Sequence, residues 1–467
     1  MNSYSRRKFL GQISCAAVGY TTLYNSLLNL KGINALAASA GLLDKDYKAL
    51  VCINLSGGND SFNMLVPTSP NEYQTYQKVR SNLALSRQEL LNLQVRNTPG
   101  RTFGLHPSMS GLQNLFNQGK AGFVSNIGTL LEPTRRDDFY NDRTALPLGL
   151  FSHSDQAQHW QTGIPQNRSN IGWGGRMADL IRDMNTEDKI SMNISLSGSN
   201  ILEVGNEVIE YVIDRRQGSI GIRDYRPDNM YDQFNIAKSQ AIDSILAQNY
   251  SDAFEKTYTD VIRNARDGHL KFKDALDHGP VIQTPFSDNY LSESLQMAAK
   301  TISVHEKLGF KRQIFYVDFY GWDHHDEVLD NQTEMLGQLS DAVGEFYAAI
   351  QELGLGSQVT LFCISEFGRS LTSNGNGTDH AWGGNVFVMG GDVKGGNIFG
   401  QYPDLDLNSD LNVYEGVIIP ETSVDLYFAE LALWMGVKPS DLPYVLPNIG
   451  NFYDIRSGKP PLGFLNI

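Results

Sequence analysis

QIFYVDFYGWDHHDEVLDNQTEMLGQLSDAVGEFYAAIQELGLGSQVTLFCIS, residues 313–365, carries the signals that decide the fold. Its opening, QIFYVDF (313–319), is a short apolar run rich in aromatic and β-branched residues, as a buried strand requires. Residues 331–353 then place Met335, Leu336, Leu339, Val343, Phe346, Ile350 and Leu353 on one face at helical spacing. Gly354 and Gly356 stop that helix, and VTLFCIS (359–365) is a second buried strand. Strand, helix and strand within about fifty residues make a parallel crossover, the unit of an α/β fold.

Upstream, KALVCINLS (48–56) reads as another buried strand, followed by a Gly-Gly turn and Asp60. HPSMSGLQNLFNQGKAGFVSNIG (106–128) reads as helix, glycine stop and short strand. Residues 153–163 open a further helix. Residues 228–310 are polar and helical with few strand signals, and we expect a helical insertion or cap there. Downstream, NVFVMGG is a strand and SVDLYFAELALWMG (423–436) a helix. One α/β domain over 46–445, with a tail at 446–467, accommodates these elements. No repeat or low-complexity segment stands out.

In open parallel sheets, sites gather outside the carboxyl ends of the strands. Here those ends lead into SGGNDSFN with Asp60, GWDHHDE with Asp323, His324, His325 and Asp326, and SEFGRS with Glu366 and Arg369. GTDHAWGG follows, with Asp379 and His380. Carboxylates and imidazoles recurring at one sheet edge are a ligand set for zinc, manganese or iron. Each piece also has an ordinary structural reading. Asp60 can be a turn or capping residue. His324 and His325, being adjacent, should point in different directions. Trp322 suits packing, and Glu366 can pair with Arg369.

The N-terminus has the three parts of an export signal. SYSRRKFL (3–10) carries the pair Arg6-Arg7, a mildly apolar stretch runs from Ile13 to Leu30, and INALAASAGLL supplies small residues for cleavage after Ala37 or Ala40. Paired arginines before a weak apolar region point to the twin-arginine route. The expected partner is therefore the twin-arginine translocase, and the expected location is periplasmic or secreted. Gln12 stands where a lipoprotein signal at Cys15 needs an apolar residue. No later run reaches the ~20 apolar residues of a membrane span, so no stable membrane anchor is expected.

Residues 1–40 hold four of the 38 Lys+Arg and none of the 52 Asp+Glu, so the remainder carries a net charge of −18. Such a surface repels nucleic acid and anionic lipid. The remaining chain of about 427 residues exceeds the commonest domain size of ~100–150, which fits one large domain with insertions. Beyond residue 40 the cysteines are Cys52 and Cys363, each inside an apolar run, which excludes a disulfide framework.

LSGGNDSFNMLVP, HSDQAQHWQTG, GWDHH, SEFGR and GTDHAWGG resemble the exported bacterial proteins grouped as domain of unknown function 1501, over about residues 48 to 440. That family is related to the alkaline phosphatase and sulfatase superfamily. The resemblance implies a mixed, mostly parallel sheet between helices, holding one or two divalent metals (zinc, manganese, iron or calcium). It implies metal ligation by Asp60, by the pair Asp323 and His325, by Glu366 and by His380. HPSMSGLQNLFNQGKAGFV resembles the superfamily helix that ends in a glycine turn.

Alkaline phosphatases place a serine seven residues before Trp-x-Thr-Gly. Here the count back from WQTG (160–163) lands on His153, flanked by Ser152 and Ser154. Either a one-residue offset supplies a serine nucleophile at the helix N-terminus, where an anion is favoured, or His153 serves as metal ligand or acid. No Cys-x-Pro-x-Arg is present, so the formylglycine of classical sulfatases is absent. Metal-assisted hydrolysis of a small-molecule or glycan ester is the implied chemistry, with Arg369, or Arg135 and Arg136, holding anionic oxygens. The competing expectation is a non-catalytic exported protein that binds a metal or a glycan on the same fold.

Overall fold

The computed structural model describes residues 47–186, 189–227 and 232–467; the export-signal reading of residues 1–40 lies outside them. The main sheet has ten strands: β1 (Lys48–Ser56), β2 (Ala121–Gly128), β3 (Asn193–Ser195), β4 (Tyr211–Asp214), β5 (Gly218–Ser219), β6 (Arg312–Tyr320), β7 (Val359–Ile364), β8 (Gly384–Gly390), β9 (Ile398–Gly400) and β10 (Thr422–Ser423). Their order is β9-β2-β8-β7-β1-β6-β3-β4-β5, with β10 also on β2.

β1 lies in the middle because it can be covered on both faces: Ala49 to Leu55 are all buried, the continuous apolar run typical of a parallel strand. It pairs in parallel with β6, from Lys48↔Arg312 to Ser56↔Tyr320, and with β7, from Ala49↔Val359 to Asn54↔Ile364. The two strands of the 313–365 crossover are therefore not neighbours; β1 sits between them. β8 runs antiparallel to both β7 and β2, and β5 antiparallel to β4, so the sheet is mixed but mostly parallel.

The principal helices are α1 (Pro70–Arg80), α2 (Ser110–Asn117), α3 (His153–Thr162), α4 (Gln233–Leu246), α5 (Ala253–Asp277), α6 (Tyr290–Ser303), α7 (Val328–Glu352) and α8 (Val424–Met435). α7 is the crossover helix, and it packs against α2 and α6. Its buried face holds the expected Leu336, Leu339, Val343, Phe346 and Ile350, but also Gln332 and Ser340, while Met335 is only half-buried. Ser340 is used: its Oγ accepts the N–H of Leu112 at 3.0 Å. That approach needs Gly111, since a Cβ there would sit 2.7 Å from the Ser340 carbonyl oxygen.

Within the 228–310 segment the helices differ in kind. α6 is buried against α7 and β6, whereas α4 and α5 pack on each other and leave Phe234, Phe254 and Tyr258 exposed. The last residues return to the core. Phe464 and Leu465 are buried, and Glu430 of α8 accepts the N–H groups of Leu462, Gly463 and Leu465 at 2.6–2.7 Å. Cys52 and Cys363 are buried free thiols on adjacent strands. No helix among the described residues is long and apolar enough to cross a membrane.

Candidate metal centre

The loops after β1, β6 and β7 meet at the carboxyl edge of the sheet. The turn after β1 is tight. Gly57 has φ +124°, and a Cβ there would collide with Asp323 N, so glycine is what lets the β6 loop close over the β1 turn. Trp322 is fully buried in that loop, as a packing residue. His324 and His325 diverge: His324 is 4% exposed, turned into the loop, whereas His325 faces the loop edge beside Asp323.

Three imidazoles converge on one carboxylate oxygen. Asp323 Oδ1 lies 3.4 Å from His153 Nε2, 3.1 Å from His325 Nε2 and 3.4 Å from His380 Nε2. The ligand atoms of His153, Asp323 and His380 all fall within 4.8 Å of one another. Each ring is oriented through its other nitrogen. His153 Nδ1 meets the Glu366 carboxylate at 3.0 Å, His380 Nδ1 meets the Phe151 carbonyl at 2.8 Å, and His325 Nδ1 meets the Asp379 carboxylate at 3.3 Å. Carbonyl and carboxylate oxygens accept, so each Nδ1–H donates and each Nε2 presents a lone pair toward the group. This is the arrangement by which proteins orient metal-binding histidines.

The electrostatics follow. The hydrogen bond to Glu366 raises the pKa of His153 against the opposing effect of burial. Burial lowers that of His380. At Asp323, burial pushes upward, but the Arg369 ion pair and the nearby histidines outweigh it and hold the carboxyl below its usual range. Phe367 stacks on His380 (4.7 Å between centroids) and tilts over His153 (4.9 Å), forming an apolar wall.

The other expected site residues take distinct places. Glu366 contacts the group only through His153, and its Oε1 also accepts the N–H of Gly57 at 2.7 Å. Glu366 and Arg369 do not pair. Arg369 is fully buried and donates to Gly58 O (2.9 Å), Thr378 O (3.0 Å), Gly57 O and Asp323 Oδ1, with His325 Nε2 at 3.5 Å. Its N–H groups are thus spent on protein acceptors, which makes it a clamp on Asp323. Asp60 is fully buried beneath the turn, in an ion pair with Arg80 at the end of α1. Arg80 also bonds Asn63 Oδ1 and the carbonyl of Ser370. Ser152 and Ser154 flank His153 at the start of α3 and bond each other, Oγ to Oγ at 3.2 Å. Arg135 pairs with Glu421 at the surface.

Sequence reasoning did not foresee Asp379 and the Phe151 carbonyl as the groups that orient His325 and His380. Asp379 precedes His380 in the GTDHAWGG motif, which was a signal; a backbone carbonyl leaves none.

The residues present fit a metal ion. His153 Nε2 is buried with no hydrogen-bond partner, and His325 Nε2 lies 2.9 Å from His380 Nε2, two ring nitrogens close enough to share one cation. The spacings of 3.1–3.4 Å around Asp323 Oδ1 are close to the about 3.3 Å edge of a tetrahedron with ~2.0–2.1 Å metal–ligand bonds.

The family described as "Protein of unknown function (DUF1501)" matches residues 47–415. The chain belongs to this family. All the residues converging on Asp323 lie inside the DUF1501 match, as do Glu366, Arg369 and Asp379. No curated protein matches this DUF1501 chain. Among solved structures it is distantly similar to the PsFucS1 sulfatase from Pseudoalteromonas sp. (9% identity, 90% of this chain and 73% of that one, TM-score 0.32). It is likewise similar to Ps i-CgsB in complex with k-i-k-neocarrahexaose (11%, 86% and 77%, TM-score 0.33) and to the wild-type alkaline phosphatase PafA (11%, 70% and 63%, TM-score 0.30). Likenesses at this level carry no argument about the chemistry of the DUF1501 chain.

Proposed function

We propose that this DUF1501 protein is an exported, metal-dependent hydrolase of phosphate or sulfate esters. The observation that carries the reading is the convergence of three Nδ1-anchored histidines on Asp323. His153, His325, His380 and Asp323 would hold the ion, and a donor set rich in nitrogen suits zinc or a neighbouring transition metal better than calcium, which takes oxygen ligands. A bound divalent ion would polarise an ester oxygen and lower the pKa of a water or hydroxyl.

The chain's own residues do the rest. Glu366, Asp379 and the Phe151 carbonyl fix the imidazole tautomers. Arg369 keeps Asp323 ionised and immobile, acting on that carboxylate in place of the substrate's oxygens. Phe367 excludes water from one side. Ser152 and Ser154, at the N-terminal end of α3, are the nearest hydroxyls in sequence to the group, and the helix N-terminus favours an anionic ester there. Purified, metal-replete protein should hydrolyse a phosphate or sulfate ester, and turnover should fall in Asp323→Ala. Activity no greater than that variant's, across a panel of both ester types, would remove the hydrolase reading.

One observation favours a second reading, a non-catalytic metal-binding protein: the hydroxyls of Ser152 and Ser154 bond each other, and Ser152 otherwise bonds the Asp155 carboxylate that Arg168 pairs, so that neither hydroxyl is bonded to a histidine of the group. Loss of turnover in Ser152→Ala or Ser154→Ala, with metal content intact, decides for the enzyme. The export reading rests on Arg6 and Arg7; replacing both with Lys should leave the protein in the cytoplasm, and normal export of that variant would overturn it.

A further inference from the structure

Beside the metal centre the surface turns aromatic. Phe151, whose carbonyl orients His380, has φ +77°, and Tyr414 has φ +52°; both are left-handed conformations that side chains of this size rarely adopt. The Phe151 ring meets Tyr414 edge-on at 6.3 Å, Tyr414 meets Tyr140 edge-on at 6.1 Å, and the Tyr140 hydroxyl accepts the N–H of Tyr414 at 2.8 Å. Phe139 backs both tyrosines from beneath, with centroids 5.5 and 5.6 Å away, and itself leans on buried Trp382. The two tyrosine rings are therefore fixed from behind, yet 50% and 59% exposed. The loop that supplies Asp379 adds exposed amides, with Asn374 Nδ2 donating to Asp379 Oδ1 at 3.1 Å.

Rigid aromatic faces with hydroxyl handles give large contact area at little entropic cost. Carboxylate and amide groups beside them hydrogen-bond hydroxyls. A ligand with a flat C–H face and many hydroxyls satisfies both, and that is a sugar ring. A polynucleotide also stacks, but the acidic chain repels it. We propose that the exposed face of Tyr414, with Tyr140 standing edge-on beside it, is the platform on which a sugar ring of the substrate stacks, so that the ester at the metal centre is borne by a glycan. This names the substrate class of the site and rests on the hydrolase reading for the fate of the ester, though not for the binding itself.

The test is binding, which needs no turnover. The exported protein as purified is applied to an array of neutral, uronic and sulfated polysaccharides, and affinity for the best oligosaccharide is measured by calorimetry. Wild type should bind at least one glycan. Tyr414→Ala should weaken that binding about ten-fold or more, and Tyr414→Phe should hold it within about three-fold. Tyr140→Ala, which removes the neighbouring ring and with it the hydroxyl that accepts the Tyr414 N–H, should weaken it in the same direction, and all three variants should take up metal as wild type does. No glycan bound, or affinity unchanged in both alanine variants, would overturn the platform even if simple aryl esters are hydrolysed. Tyrosine-dependent glycan binding without any ester hydrolysis would uphold the platform and remove the hydrolase reading alone.

Discussion

Asp60 separates what a motif suggests from what packing makes of it. The family resemblance of the motif after the first strand implied that it is a ligand, but its carboxylate is buried against the Arg80 guanidinium with both side chains fully enclosed. Removing one partner of such a pair leaves the other charge uncompensated, at a cost of about 3–5 kcal/mol. Asp60→Asn should therefore lower the urea midpoint strongly while metal content of the folded protein stays at the wild-type level; metal loss without destabilisation would return Asp60 to the ligand set. Arg80 is 20 residues away in sequence, at the end of a polar helix, and nothing in its spacing announced the pairing. His153 shows the converse. Counting from WQTG put it in a nucleophile's place. Its ring is turned into the histidine group because Glu366, which follows β7, accepts its Nδ1–H, a contact across 213 residues that local pattern does not encode.

At the scale of elements, the 313–365 unit was legible because periodicity reports burial: apolar residues at helical spacing become the α7 face, and continuous apolar runs become β6 and β7. Periodicity does not report partners. β1 enters between β6 and β7, and β8 runs antiparallel, because hydrogen-bonding edges are chosen in three dimensions. The α2–α7 contact is also set by details outside hydrophobic pattern, namely Ser340 and the missing side chain of Gly111. Gly111→Ala forces a methyl to within 2.7 Å of the Ser340 carbonyl. We expect a loss of about 1–3 kcal/mol, read as a lowered thermal midpoint, despite alanine's better helix propensity. An unchanged or raised midpoint would show that the helices can part without cost.

Across the whole molecule, buried carboxyls make stability depend on pH. Burial lifts Glu203 to about 8, against a hydrogen bond from Asn200 that works to lower it, and burial lifts Asp425 to about 7. The folded chain keeps a proton on Glu203 that the unfolded chain releases near ~4.3. Its contribution is thus complete below that value and is lost as pH rises through about 8. Glu203→Gln lacks this dependence, so its stability relative to wild type should rise between pH 5.5 and pH 8; a difference that stays constant would contradict the assignment.

Metal binding by the whole molecule depends on the histidine group around Asp323. The most direct test is elemental mass spectrometry of protein purified after native export, beside His153→Ala and Asp323→Ala variants whose folding is confirmed by circular dichroism. The structure predicts about one equivalent of zinc or a neighbouring transition metal in wild type and its loss from both variants. A wild-type protein that takes up no metal even on reconstitution, or variants that keep theirs, would contradict it.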